Sequence, residues 1–558
     1  MKSNTIKEWQ LLTGFVLLAF AYRLFLLRYE YVIPSDGVFY ATLGKNLVSG
    51  NLKEGLSTYW PPLYPLLIGL SSLLFQDLEF SGMLVSVVAG SLLVIPVYLW
   101  SRNSYGKDVA YLSVFLTILS PLLTKYSTKV FTESLYTLLF MTGILTGWSA
   151  ISKGSKSKFL LTGLLFGLCY LTRPEAIGYL ILIIIITLST RLFSNQLQFK
   201  KILLNIFILL VAFIVLSLPY ILWIYHETGT WTISEKMGAH FQTTTHIGWK
   251  KHWYGLSDNG QTTLGDKLMA GHRLPRNHSV ELQSVSTQMP NLTDFIFPRL
   301  KALKIEYEEM FPKIFPPLFM LLIGLGLFGT IWSKERAGRE IYSLLFIIST
   351  FAGYAFFVTN ERYLLSPLSP ILICWTSKGV IEFVNWFIKT KGNIKSGGFL
   401  KNYRLFQALV LVVLILSILH RIIDPMRSEK WDLPYELKEI GRWINNHSDP
   451  SPLIMSVSPL AAFYSEGRHI YLPDEEYLLV LKYAMLKKVD YIVIDNRFIP
   501  IERPHLKFLL NEENQHPGLE LVYYYDEMPN YKAFVFKLVN STESSELTND
   551  LPPLLRTH

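Results

Sequence analysis

The chain is poor in cysteine and in charge, and both shortages exclude whole classes of protein. It has 2 cysteines among 558 residues, which excludes a small scaffold held together by disulfide bonds. Asp, Glu, Lys and Arg make up 17% of the residues, whereas about 25% is usual in a soluble protein. Hydrophobic residues reach 50% and stand in long blocks, which excludes disordered and collagen-like chains. The sequence therefore predicts a polytopic α-helical membrane protein.

The apolar blocks predict about eleven membrane-spanning helices, because a span needs roughly 20 mostly apolar residues. The blocks run at residues 9–29, 81–101, 108–124, 131–151, 158–173, 176–193, 201–224, 313–332, 340–358, 363–386 and 404–423. Lys2 and Lys7 precede the first block, as in a signal peptide, but no small-residue cleavage site follows it. We therefore interpret the first block as a retained helix.

The positive charges indicate the orientation of these spans. Lys and Arg concentrate in alternate loops when the N-terminus is placed in the cytoplasm, with Lys125 and Lys129 as the exceptions. This pattern accounts for most of the net charge of +9, so nucleic-acid binding is not expected. We expect an integral cell-membrane protein, with a bacterial inner membrane as the favoured location.

Three segments are then expected on the outer side, at residues 30–80, 225–312 and 424–558. Within the first, Leu63–Phe75 is apolar but too short to span, which favours an interfacial or re-entrant helix over an ordinary span. Residues 1–423 thus form a predicted transmembrane domain, and residues 424–558 a predicted small extracytoplasmic α/β domain. In the latter, strands are predicted at Pro452–Val457, Arg468–Leu472, Tyr491–Ile494, Leu519–Tyr525 and Ala533–Val539, and helices at Asp432–Asn446 and Glu475–Lys488.

Asp36 is the first candidate for a chemical role. It lies just beyond the first predicted span, within the segment PSDGVFY at residues 34–40. A carboxylate at the bilayer centre would cost roughly 2.5–3.5 kcal/mol, but this penalty fades at the interface. Asp36 could therefore act as a general base. The structural alternative is that it caps the N-terminus of a helix over residues 37–49.

Three further motifs place ionisable residues at the same outer ends of the spans. Glu133 begins the fourth span, where an acid also complements the helix dipole. Arg173 and Glu175 follow the fifth span and could equally form a local turn or an interfacial anchor. The tenth span is preceded by Glu361, Arg362 and Tyr363. Each motif alone is weak, but their common location indicates a site.

Two acids and two arginines around an apolar slot suit a substrate with a phosphate head and a long lipid tail. Arg173 and Arg362 would hold the phosphate through their planar guanidinium groups. A carboxylate would take a proton from an attacking hydroxyl or amine while the bond between sugar and phosphate breaks. Tyr40, Trp60 and Tyr64 are candidates for an apolar, stacking surface for the sugar.

With these motifs the sequence resembles the GT-C superfamily of membrane glycosyltransferases, of the dolichyl-phosphate-mannose protein mannosyltransferase and aminoarabinose transferase type (glycosyltransferase family 39 and relatives). The matching pieces are Asp36-Gly-Val-Phe-Tyr40, Trp60-Pro-Pro-Leu-Tyr-Pro-Leu-Leu67, Leu171-Thr-Arg-Pro-Glu175 and Arg362-Tyr-Leu-Leu-Ser-Pro367. In order and topology the resemblance covers about residues 10–400. It implies a polyprenyl-phosphate-linked sugar donor, an acceptor lipid, glycan or protein, and transfer on the outer membrane face with inversion at the sugar carbon. It also implies that Asp36 is the catalytic base and Glu133 the second acid.

The chain departs from this family at one metal-binding position. Aminoarabinose transferases carry Glu-Lys before the Pro-Pro pair, and the glutamate helps to hold a metal. Tyr59 and Trp60 stand there instead, so no metal ligand is assigned and a divalent metal is left open. Six histidines lie in the loop at 225–312 without the close spacing of a zinc site. They are His226, His240, His246, His252, His272 and His278.

Two other function classes compete with the enzyme. A transporter or flippase would carry charges in the middle of its spans and broken helices in two symmetric halves. Here the unusual charges gather at one interface, and Arg23 is the nearest to a buried charge. A scaffold or receptor would act through the C-terminal domain, which we interpret instead as a lid or an acceptor-recognition module.

Overall fold

The computed structural model describes most of the chain. The described residues are 2–189, 199–236, 292–355, 361–392, parts of 409–423, 433–511, 516–528 and 530–539. They form a mostly helical protein with one small β-sheet near the C-terminus.

The helices before residue 237 follow one another with short connections. They are α1 (Lys2–Leu26), α2 (Ser35–Val48), α3 (Leu52–Gly55), α4 (Leu63–Phe75), α5 (Leu78–Leu92), α6 (Val94–Tyr105), α7 (Lys107–Leu119), α8 (Pro121–Ser127), α9 (Glu133–Lys153), α10 (Lys156–Tyr170), α11 (Ala176–Ser189) and α12 (Phe199–Thr228). The later described helices are α13 (Leu292–Ile305), α14 (Phe311–Ile314), α15 (Pro317–Phe328), α16 (Lys334–Tyr354), α17 (Glu361–Gly392), α18 (Tyr435–His447), α19 (Leu460–Tyr464), α20 (Tyr477–Lys487) and α21 (Ile499–Glu502). Residues 412–419 are helical as well. Short 3-10 helices lie at Leu27–Tyr29 and Pro504–Leu510, and a π-helical turn at Glu306–Met310.

Every predicted span contains a helix, but the helices differ in length. In the described part of the chain, 4 helices are long and apolar enough to cross a membrane. These are Ile6–Tyr29, Leu78–Tyr105, Glu133–Lys153 and Phe199–Thr228. The pair α7 and α8, bent by 55°, would make a fifth. The total of about eleven spans therefore remains a prediction.

The short apolar segment Leu63–Phe75 is a helix, as predicted, and it supports the helix that carries Asp36. A Cβ atom added to Gly44 of α2 would collide with the carbonyl oxygen of Pro65, and one added to Gly69 of α4 with that of Gly44. Glycine at both positions thus lets the two helix backbones touch. This contact fixes α2 against α4.

The sheet near the C-terminus has five strands in the order β2-β1-β3-β5-β4. The strands are β1 (Leu453–Ser456), β2 (Arg468–Tyr471), β3 (Tyr491–Asp495), β4 (Leu519–Tyr525) and β5 (Ala533–Leu538). The pairs of β1 with β2 and with β3 are parallel, and β5 runs antiparallel to β3 and β4. All five predicted strands and the two predicted helices, seen as α18 and α20, are confirmed within a few residues. The boundary at residue 424 remains a prediction.

The sheet region packs directly onto the segment that precedes Asp36. Tyr464 accepts a hydrogen bond from the backbone N–H of Ile33 (2.9 Å) and donates one to Glu79 Oε1 (3.0 Å). Lys438 Nζ bonds to Glu79 Oε2 (3.1 Å) and to the carbonyl oxygen of Tyr31 (2.8 Å). The C-terminal region therefore holds residues 31–33 in place, three residues before Asp36.

Replacing Tyr464 with phenylalanine tests this attachment. The variant keeps the ring but leaves the Ile33 N–H without its acceptor, which should cost about 1–3 kcal/mol of stability. Thermal unfolding in detergent should show a lower Tm for Tyr464→Phe. Tyr524→Phe is the matched control, because Tyr524 is exposed on β4 and its hydroxyl has no hydrogen-bond partner among the described residues. Equal Tm values for both variants would show that the Tyr464 hydroxyl does not hold the segment.

Candidate functional site

The structure brings the four predicted motifs into a single chain of ion pairs. Arg362 Nη2 lies 2.9 Å from Asp36 Oδ2, and Arg362 Nε lies 3.1 Å from Glu133 Oε1. On the other side of Glu133, Arg173 Nη1 lies 3.4 Å from the same Oε1. Arg173 Nη2 then reaches Glu175 Oε1 at 3.0 Å. We call this series the ion-pair chain: Asp36, Arg362, Glu133, Arg173 and Glu175.

The folding of the chain explains why these residues meet. Asp36 lies in the first turn of α2, Glu133 is the first residue of α9, and Arg362 is the second residue of α17. Arg173 and Glu175 occupy the turn between α10 and α11. Because consecutive helices run back and forth, these ends come together at one end of the bundle.

Burial decreases from the middle of the ion-pair chain towards Asp36. The side chain of Glu133 is 1% exposed and that of Arg173 is 4% exposed. Arg362 is 17% and Asp36 is 32% exposed. Buried charges are stable only when paired, and Glu133 lies between two arginines that pair with it. Among the acids of the ion-pair chain, Asp36 is the most accessible to an incoming molecule.

The helix-cap interpretation of Asp36 is wrong. Helix α2 begins at Ser35, and its N-cap is Pro34, which makes no side-chain capping bond. Pro34 has an extended ψ of 151° and a ring that restrains the residue before it, so the helix begins directly after it. Asp36 therefore lies inside the first turn, where its side chain pairs with Arg362.

The structural alternatives to a site role for Glu133 and for Arg173 with Glu175 hold in part. Glu133 does occupy the first turn of α9, as the helix-dipole argument expects. Arg173 and Glu175 do pair locally across two residues. Both interpretations are incomplete, because Glu133 also bridges Arg173 and Arg362.

Aromatic rings pack around the charged groups. The Cζ of Arg362 lies 4.4 Å from the ring centre of Phe131, and that of Arg173 lies 4.2 Å from the ring centre of Tyr363. Rings in this position attract the cation and exclude water. Phe131 was not singled out from the sequence. Glu361 begins α17, and its side chain lies outside the described residues.

The three aromatic residues expected to contact a sugar form one packed group. Tyr40 meets Trp60 edge to face at 4.9 Å between ring centres, and Tyr64 at 5.3 Å. The hydroxyl of Tyr64 is bonded to Ser86 Oγ at 2.7 Å and to the carbonyl oxygen of Gly82 at 3.1 Å. Tyr64 is fully buried, so it supports Tyr40 from within the core. A stacking role for Tyr40 and Trp60 remains a prediction.

One basic residue of the site was missed by the sequence analysis. Lys236 is buried, and its Nζ lies 4.5 Å from the ring centre of Trp60, 5.6 Å from that of Tyr59 and 5.9 Å from that of Tyr363. It lies in the segment after α12, which carries no recognisable motif, so nothing in the sequence marked it. Burial alone would raise the pKa of Glu175, but the charges of Arg173 and Lys236 outweigh burial and lower it.

The described residues offer no ready metal site. No three His, Cys, Asp or Glu side chains among them lie close enough together to hold an ion. The acids of the ion-pair chain are each bonded to arginine instead. Of the six loop histidines, only His226 is described, and it pairs with Glu227; the other five lie outside the described residues. These side chains do not fit a divalent metal, and the metal dependence left open by the sequence remains a prediction.

Comparison with known proteins finds one matching family model and a set of solved structures with a similar fold. Residues 60–223 match the family model described as dolichyl-phosphate-mannose-protein mannosyltransferase. No curated protein matches the sequence.

Solved structures share the fold over almost the whole chain. One is ArnT from Cupriavidus metallidurans bound to undecaprenyl phosphate, with a TM-score of 0.55, 12% identity, and coverage of 94% of this chain and 97% of that chain. Another is the oligosaccharyltransferase AglB from Archaeoglobus fulgidus in complex with an inhibitory peptide and a dolichol-phosphate. Its TM-score is 0.56 at 14% identity, covering 98% of this chain and 75% of that chain. Both are GT-C glycosyltransferases, so the predicted resemblance is confirmed. With the apolar helices, it indicates an integral membrane protein.

Proposed function

Because this chain has the fold of the GT-C membrane glycosyltransferases, we propose that it transfers a sugar from a polyprenyl-phosphate-linked donor to an acceptor on the outer face of the membrane. The observation that carries the proposal is the ion-pair chain, in which a partly exposed carboxylate, Asp36, lies at the end of a series of more buried ion pairs. The ArnT structure holds undecaprenyl phosphate and the AglB structure a dolichol-phosphate. Both ligands support a lipid-linked donor.

In the proposed reaction Asp36 is the general base. Its carboxylate takes the proton of an acceptor hydroxyl or amine as that group attacks the anomeric carbon of the sugar. A bond forms between the acceptor and the sugar, and the bond between the sugar carbon and the phosphate oxygen breaks. The bonding electrons leave on the polyprenyl phosphate. A single displacement of this kind inverts the anomeric configuration.

The remaining members of the ion-pair chain hold Asp36 in place. Arg362 forms one ion pair with Asp36 and another with Glu133, which fixes its position. Glu133 is almost fully buried, so we assign it a positioning role instead of direct contact with the substrate. Arg173 is held by Glu133 and Glu175. Arg362, which is more exposed, is the arginine that a donor phosphate reaches more easily.

Transfer by the purified protein tests the proposal. We expect the wild-type protein in detergent or liposomes to move label from at least one radiolabelled polyprenyl-phosphate sugar to a lipid, glycan or peptide acceptor. If every donor stays intact while labelled lipid changes leaflet in sealed vesicles, the protein is a flippase and the proposal is wrong.

A further inference from the structure

Lys236 is a buried cation beside the ion-pair chain that the proposed reaction has not used. Its ammonium is surrounded by the rings of Trp60, Tyr59 and Tyr363. Among the described residues, no carboxylate oxygen lies within 4.0 Å of its Nζ. An ammonium removed from water normally has an ionic partner, so this one is suited to an anion brought by a ligand.

The segment that carries Lys236 is firmly attached. The backbone N–H of Glu235 bonds to the carbonyl oxygen of Thr58 at 3.2 Å, and the Thr58 hydroxyl donates to the Glu235 carboxylate. The N–H of Lys236 bonds to Ser234 Oγ at 3.1 Å. Tyr170 donates to the carbonyl oxygen of Ile233 at 2.7 Å. Because these bonds fix the backbone that leads into Lys236, they limit where its ammonium can lie before any ligand arrives.

The charges of the site favour an anion at Lys236 over one at the arginines. The ion-pair chain contains three carboxylates and two guanidinium groups, so its formal charge is negative and it would repel a phosphate. Each arginine already contacts two carboxylates. Lys236 and Arg173 both approach the ring of Tyr363: the Nζ of Lys236 is 5.9 Å from the ring centre, and the Cζ of Arg173 is 4.2 Å from it. Lys236 therefore adds an adjoining positive charge that has no carboxylate partner in the part of the chain that the structure describes.

We propose that Lys236 binds the phosphate of the lipid-linked donor. This inference rests on the proposed function and moves the main phosphate contact from Arg173 and Arg362 to a lysine after α12. Trp60 and Tyr363 would then flank the phosphate and the first carbons of the lipid. The lysine lies close enough to Tyr363 to place that phosphate beside the ion-pair chain, where Asp36 acts on the acceptor.

Binding measurements with undecaprenyl phosphate and undecaprenol, which lacks the phosphate, test the inference. We expect the wild-type protein to prefer undecaprenyl phosphate by about tenfold to a hundredfold, since a charged hydrogen bond has that effect. Lys236→Met should lose most of this preference, and Lys236→Arg should keep part of it. A purely structural lysine would change both affinities together and leave their ratio intact.

Controls separate this inference from the proposed function. Lys45→Met removes an exposed lysine of α2 and should leave the preference unchanged. Lys236→Gln replaces Lys236→Met if the latter does not fold. An unchanged preference in the Lys236 variants would overturn the inference alone. A wild-type protein that binds neither lipid, or prefers phosphatidylglycerol to undecaprenyl phosphate, would contradict the lipid-linked donor itself.

Discussion

Replacing Asp36 with asparagine lowers the rate of sugar transfer by about 10²–10⁴-fold, the range that a general base contributes. The amide has the same shape as the carboxylate but cannot take the acceptor's proton. Its side-chain oxygen still accepts a hydrogen bond from Arg362, and the site is partly exposed, so stability should change by no more than about 1 kcal/mol. Transfer assays and thermal unfolding on the same preparation measure both effects.

Asp108→Asn is the matched control for this prediction. Asp108 is also an acid in the first turn of a helix, α7, and it is exposed. Its replacement removes the same interaction with the helix dipole without touching the ion-pair chain. We expect normal transfer by Asp108→Asn. If Asp36→Asn also transferred at the wild-type rate, the base would have to be sought elsewhere, first at Glu133.

Replacing Arg362 with methionine should lower both stability and transfer. Arg362 links Asp36 to Glu133, and Glu133 is almost fully buried. Removing one partner of a buried ion pair costs about 3–5 kcal/mol. Asp36 would also lose the contact that orients it, and such misplacement lowers rates on the order of a hundredfold. Thermal unfolding and transfer assays should thus change together in this variant, unlike in Asp36→Asn.

Arg442→Met controls for the loss of an arginine in general. Arg442 pairs with Glu439 on the surface of α18, with side chains 55% and 27% exposed. Exposed pairs of this kind contribute about 0–1 kcal/mol, so this variant should unfold and transfer like the wild type. An Arg362→Met protein that keeps its Tm would show that the ion-pair chain is not a structural support.

The sequence predicted the helices, the strands and the neighbourhood of the site because these depend on local patterns. Apolar blocks predict where the helices lie, and alternating apolar residues between turn signals predict where the five strands lie. The predicted orientation of successive spans put Asp36, Glu133, Arg173 and Arg362 at one predicted membrane face. That they would share a single chain of ion pairs was not predictable, because pairing depends on how α2, α9 and α17 pack.

Other features of the structure could not be predicted from the sequence, and the reasons are again physical. The start of α2 depends on one residue next to a proline, which decides whether Asp36 caps the helix or lies within it. Lys236 belongs to a segment fixed by long-range bonds to Thr58 and Tyr170, and no local pattern encodes such contacts. Helices such as Ala176–Ser189 are too short to be counted as spans by length alone.

The product of the reaction tests the central claim most directly. NMR spectroscopy of the glycoside formed by the wild-type protein from a polyprenyl-phosphate sugar reports both transfer and the configuration at the anomeric carbon. With Asp36 as base in a single displacement, we predict a product whose configuration is opposite to that of the donor. Retained configuration, which requires a covalent sugar intermediate on a carboxylate, or the absence of any product would contradict the account.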